Sequence, residues 1–132
     1  MSFKISKTFE GNFDAAIERT VAALKAEGFG ILTEIDIKAT MKEKLGIEDF
    51  PRYQILGACN PPIAHAALIA EPAIGVMLPC NVIIREIAPG KVEVAAINPA
   101  AAIGAIGNAD LLRLADEVAA KLNRAISFAS EI

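Results

Sequence analysis

Ile74-Gly75-Val76-Met77-Leu78-Pro79-Cys80-Asn81-Val82-Ile83-Ile84-Arg85-Glu86-Ile87-Ala88-Pro89-Gly90-Lys91-Val92-Glu93-Val94-Ala95-Ala96-Ile97 reads as two β-strands joined by a tight turn. Ile74 to Ile87 is rich in β-branched residues, Ala88-Pro89-Gly90 supplies the turn, and Val92 to Ile97 resumes the strand. Pro79 has no N–H for a ladder, which suits an edge strand or a bulge. A doubly wound parallel sheet needs a full helix between most strands, and a hairpin here argues against it. The expectation is an α+β fold: a two-layer sandwich, mainly antiparallel sheet with helices on one face.

The flanking sequence fits that frame. Arg52 to Cys59 is a strand, and Asn60-Pro61-Pro62 starts a helix, Asn as a good N-cap and Pro in the first turn. That helix ends near Glu71, because Pro72 disfavours helical geometry before it. Phe3, Ile5 and Phe9 alternate with polar residues as in a half-buried strand. Asn12 caps a helix with an apolar stripe of Phe13, Ile17, Val21 and Leu24, which Gly28 stops. Phe29, Ile31, Ile35 and Ile37 begin a second strand, and Ala39 to Leu45 forms a short amphipathic helix closed by Gly46. Asn98 to Gly107 reads as an apolar, glycine-containing loop. Asn108 caps the last helix, with Leu111, Ala115, Val118, Leu122, Ile126 and Ala129 on one buried face. The order is β-α-β-(short α)-β-(short α)-β-β-α, in a single domain over residues 1–132.

Composition narrows the function classes. The chain has 132 residues, a net charge of −3 and no run of Lys or Arg, so no basic stripe is offered to nucleic acid. Hydrophobic residues make up 54% of it, which raises the question of a membrane segment. The uncharged stretch Tyr53 to Ala70 is interrupted by Asn60, Pro61-Pro62 and His65, and Val94 to Ala109 by Asn98-Pro99, Gly104 and Gly107. Neither reads as a spanning helix. The excess apolarity instead predicts a subunit interface, since obligate interfaces resemble a core cut in half. Met1 to Lys7 has no apolar signal region, which predicts a cytoplasmic protein with reduced thiols.

Chemistry-bearing side chains concentrate in two segments. Gly57-Ala58-Cys59-Asn60-Pro61-Pro62-Ile63-Ala64-His65 and Leu78-Pro79-Cys80-Asn81-Val82 hold both cysteines and the single histidine. Cys59 precedes a helix N-cap, where amides and the helix dipole favour thiolate. Convergence of Cys59, Cys80 and His65 would suit Cu(I) or Zn(II), or a dithiol redox pair. Packing is the alternative for each cysteine, because free cysteine often behaves as a small buried hydrophobe. No Cys-x-x-Cys and no paired metal-ligand spacing is present. Glu34, Asp36 and Lys38 alternate with Ile35 and Ile37, giving either a solvated face or the polar rim of a pocket. No motif supports a Ser/His/Asp triad or a dinucleotide fingerprint.

The chain resembles the DUF302 family, a group of small bacterial and archaeal proteins of unknown function. The resemblance rests on Ala23 to Phe29, Glu34 to Thr40, the two cysteine–asparagine segments, and Gly107-Asn108 before the last helix. It implies a TBP-like β-α-β4-α topology with extra short helices and a homodimer, and it brings no activity, cofactor or catalytic residue.

Three functional expectations stand on these readings. One is a homodimeric module binding a small apolar or anionic ligand, through Cys59, Asn60 and His65 with Cys80 and Asn81 opposite. The second is a thiol-dependent redox or soft-metal protein, and the third a structural dimerisation domain. The two sulfurs separate the first two: beyond disulfide reach, a shared-sulfur mechanism fails.

Overall fold

A computed structural model of the chain describes residues 2–130. The first strand, β1 (Lys4–Glu10), turns Ile5 and Phe9 to the core. Asn12 Oδ1 accepts the Ala15 N–H at 3.0 Å and opens α1 (Phe13–Ala26). Gly28, at φ 88°, ends it: its N–H donates to the Lys25 carbonyl (3.0 Å) and the Phe29 N–H to that of Leu24 (2.9 Å). This pair of bonds reverses the chain and leaves both Leu24 and Phe29 buried. There follow β2 (Gly30–Asp36), α2 (Ile37–Leu45), β3 (Tyr53–Cys59) and α3 (Pro61–Ala70). A 3₁₀ turn (Pro72–Met77) leads into β4 (Cys80–Ala88) and β5 (Lys91–Ile97). The chain then forms α4 (Pro99–Ile103), a 3₁₀ turn (Gly104–Ile106) and α5 (Ala109–Ser130).

The five strands form one antiparallel sheet in the order β1-β5-β4-β3-β2. The hairpin expected from Ala88-Pro89-Gly90 is its centre, and α1 links the two edge strands. Helices α1 and α5 cover one face, where Leu24, Leu56, Ile84, Val94, Leu122 and Ile126 are fully buried. All six residues assigned to the buried face of α5 from periodicity are buried. Asn108 Oδ1 accepts the Leu111 N–H at 3.2 Å, as expected of its cap.

Four local readings need correction. Ile74 to Met77 is not strand: the residues after Pro72 turn into a 3₁₀ helix, and Ile74 is buried in a small cluster with Ala67 and Leu111. Burial against α3 and α5 outweighs its β-propensity. The strand begins at Cys80, so Pro79, whose peptide bond with Leu78 is cis, lies outside it, and β4 is interior rather than an edge. Residues 98–107 are largely helical, because Asn98-Pro99 repeats the start signal of Asn60-Pro61. Lys38 belongs to α2: the Asp36 carboxylate accepts the Ala39 N–H at 2.9 Å and ends the strand before the third charge. In α1 the buried line runs through Phe13, Ala16, Thr20, Ala23 and Leu24, with Ile17 and Val21 half-buried. Small side chains let the helix lie close to the sheet, and the Thr20 hydroxyl is satisfied by donating to the Ala16 carbonyl at 2.7 Å.

The other face of the sheet lacks such a cover. Cross-strand register aligns Ile35, Ile55, Ile83, Ala95 and Ser6 in one row. The next row carries Tyr53, Arg85, Glu93 and Thr8. Glu93 is only 5% exposed there, held by Arg85 Nε at 2.6 Å and Lys4 Nζ at 3.0 Å. Lys4 sits opposite Ile97, with the Ser6–Ala95 pair between it and Glu93, and Ala95 is 3% exposed.

Candidate functional site

At the end of the sheet where β3 stops and β4 starts, α3, the Pro72–Met77 turn, α4 and α5 enclose a cleft. It is narrow and partly open, with a volume of about 50 Å³. The walls are apolar: Phe29, Ile63, Ile74, Leu78, Ile103 and Leu111 lie among the lining residues. Cys59, Asn60 and Cys80 are the lining residues with sulfur or amide side chains.

Asn60 is largely committed to structure. Its Oδ1 accepts the Ile63 N–H at 3.4 Å, and its Nδ2 donates to the Glu27 carbonyl at 3.3 Å, tying the start of α3 to the end of α1. This cap removes the anion half of the ligand expectation. Pro61 and Pro62 carry no N–H, the Ile63 N–H is taken by Asn60, and the Ala64 N–H donates to the Asn60 carbonyl at 2.8 Å. The helix start therefore offers no free backbone donor to an anion, and the prolines also remove the amides expected beside Cys59.

The two cysteines meet the cleft without forming a shared-sulfur site. Register sets Cys80 opposite Ala58 and Cys59 one step further along. Alternation then sends the side chain of Cys80 to the α1/α5 face, where it packs on the core, and that of Cys59 to the opposite face with Gly57. Both are free thiols. Burial, with a smaller contribution from nearby Cys59, pushes the Cys80 thiol up to about 11. Cys80 is thus a neutral packing group at neutral pH. Alkylation of Cys80 by iodoacetamide at pH 8 is expected to be about a hundred-fold slower than that of an unstructured cysteine, because only thiolate reacts. Site-resolved peptide mass spectrometry reads this rate, and labelling of Cys80 at the peptide rate would refute the assignment.

The other expected site residues lie elsewhere. His65 is exposed on the outer side of α3, away from the cleft, so Cys59, Cys80 and His65 do not converge. Period two turns Asn81 away from Cys80 to the uncovered sheet face, opposite Gly57. Glu34 and Asp36 are exposed on edge strand β2, and Lys38 Nζ donates to the Phe50 carbonyl at 2.5 Å, so these three form no rim to the cleft. Among the described residues no group of three His, Cys, Asp or Glu side chains is placed to hold a metal ion. Also among them, no helix is long and apolar enough to cross a membrane. Sequence reading missed the walls from Leu78, Ile103 and Leu111. The uncharged runs Tyr53 to Ala70 and Val94 to Ala109 were the available signal, since both fold to this end.

Comparison with known proteins agrees with the fold. The crystal structure of an uncharacterized conserved DUF302 protein from Bacillus stearothermophilus superposes with a TM-score of 0.90 at 24% sequence identity, covering 99% of this chain and 100% of that one. No curated protein matches the chain. The family described as "Domain of unknown function DUF302" matches residues 5–129, nearly the whole sequence. The chain therefore belongs to the DUF302 family.

Proposed function

We propose that this chain is a homodimeric binding module, acting as one domain, that takes a small apolar ligand into the cleft between α3, α4 and α5. The observation that carries the reading is the lining: large apolar side chains from α3, the Pro72–Met77 turn, α4 and α5 surround a cleft in which Cys59, Asn60 and Cys80 are the few lining residues that are not simple hydrocarbons. The strand, helix, four-strand and helix order supports the TBP-like description of the two-layer fold within this reading. The neutral state of Cys80 and the opposed directions of the cysteines favour binding over thiol chemistry.

The test is an NMR titration with straight-chain 1-alkanols from butanol to octanol. Each added methylene is expected to lower Kd about fourfold until the cleft is filled, the factor that burial of one CH₂ gives. Ala64, half-buried in the lining, is the place to block it: Ala64→Phe is expected to abolish binding in a folded protein. Binding that ignores chain length, or that survives Ala64→Phe, would overturn the reading. An intact dimer that binds none of the alkanols would leave a structural dimerisation domain in its place.

A further inference from the structure

One face of the sheet carries no layer of long helices, and its side chains follow from the register. The row Ile35, Ile55, Ile83 and Ala95 crosses four strands, and the next row sets Arg85 between Tyr53 and Glu93. Ile35 is 44% exposed, and Ile55 and Ile83 are half-buried. Two strand spacings, roughly 10 Å, of apolar row thus run from Ile83 to Ile35 beside Arg85.

Charge on this face is lopsided. Alternation places Lys4, Arg85 and Lys91 here with Glu10 and Glu93. Glu34, Asp36 and Glu86 alternate instead to the helix-covered side, in register with Leu56, Gln54 and Val92. Helix α2 and the loop after it balance Lys38, Lys42 and Lys44 with Glu43, Glu48 and Asp49. Glu10 and Lys91 are register partners, so the excess positive charge falls on the group of Lys4, Glu93 and Arg85. It stands out in a chain whose net charge is −3.

One cation would neutralise Glu93, yet two hold it. Arg85 commits only its Nε to that carboxylate, at 2.6 Å, and its side chain stays 41% exposed. Among the described residues its two terminal nitrogens make no hydrogen bond or ion pair. Pinned at Nε, the planar guanidinium presents those nitrogens as a fork, the geometry that takes a carboxylate through two parallel hydrogen bonds. We propose that this face binds a monocarboxylate with an apolar body: the carboxylate on the Arg85 fork, the body along Ile83, Ile55 and Ile35. The site is separate from the cleft and stands on the sheet register and the Arg85–Glu93 contact. A bare anion makes no use of the apolar row, and a neutral hydrocarbon makes none of the fork. Nucleic acid fits poorly, because a phosphate backbone needs a line of cations rather than one excess charge.

Backbone-amide NMR titration of the full chain with sodium octanoate tests this. Octanoate is expected to shift the amides of Ile55, Ile83 and Arg85 along one saturable curve. Butyrate, with less chain to lay on the row, is expected to bind at least about tenfold more weakly. 1-Octanol, the same chain without the charge, is expected to bind this face at least about tenfold more weakly as well. Arg85→Lys lets the ammonium engage Glu93 but leaves no fork, and is expected to weaken octanoate about tenfold or more. Ile83→Glu sets a tethered carboxylate beside the fork and is expected to abolish binding. An amide spectrum otherwise unchanged shows that either variant is folded. Octanoate binding that survives either substitution in a folded protein would overturn the proposal. So would shifts confined to cleft residues such as Ala64 and Leu111, which would give the acid to the cleft. Butyrate bound as tightly as octanoate would reduce the site to a bare anion contact and overturn the ligand class. Shifts of this face that follow protein concentration and ignore octanoate would give it to a second copy of the chain.

Discussion

Gly57→Val is expected to destabilise the fold by about 3 kcal/mol and to lower Tm by roughly 10 °C, the scale of overpacking in a domain of this size. Propensity alone gives the opposite sign, because valine favours strands and glycine weakens them. The structure decides between them. Gly57 is buried in β3, an interior strand, opposite Asn81 on one side and Thr33 on the other. A Cβ at this position would overlap Thr33 Oγ1 and lie 2.9 Å from Pro79 Cγ. Thr33 can rotate, but the Pro79 ring is rigid, so strand and turn would have to move. Thr33→Ala in the same chain is expected to recover part of the loss by removing one of the two obstacles. Thermal and urea unfolding of the single and double variants read both effects. A Gly57→Val protein as stable as the wild type would show that β3 and the Leu78-Pro79 turn do not approach as described.

Glu93→Gln is expected to cost about 2 kcal/mol at pH 7, in the range of charge-assisted hydrogen bonds, and to flatten the acid side of the stability profile. Burial pushes the Glu93 carboxyl up, but hydrogen bonds from Arg85 and Lys4 and their positive charges outweigh it, and the group is held below its ordinary value. The folded state therefore binds the Glu93 proton less readily than the unfolded chain does. The stabilisation is complete above the unfolded carboxylate pKa of about 4.3 and is lost as pH falls through the lower folded value. Glutamine keeps the shape and has no proton to gain, so the difference between wild type and variant should shrink as pH falls below about 4. Urea unfolding at pH 7, 5, 4 and 3 measures it. A difference independent of pH would mean that Glu93 acts by packing alone.

Sequence patterns of short range were reliable here for a physical reason: each depends on atoms within a few residues. Asn12, Asn60 and Asn108 place a side-chain oxygen on an amide three residues ahead, and Gly28 and Gly46 supply the left-handed backbone that ends a helix. The six-residue face of α5 was legible because its period persists over 22 residues. Errors fell where a distant contact competes with local preference. Ile74 looks like strand and is buried between helices. Lys38 is a different case, in which two local signals compete and the Asp36 cap on the Ala39 N–H ends the alternation.

The cleft divides the same way. That chemistry-bearing residues concentrate around Cys59-Asn60 and Cys80 is visible in the chain, and the hairpin with its flanking signals suffices to specify an α+β protein with an antiparallel sheet. Which of those side chains meet is a matter of register and helix rotation. One step of β3 past Ala58 turns Cys59 from Cys80, one step of β4 turns Asn81 to the uncovered face, and two further residues of α3 beyond Ile63 turn His65 to the outside. A single-residue shift reverses a strand's side chains and turns a helical one by about 100°, so only the packed tertiary structure decides them.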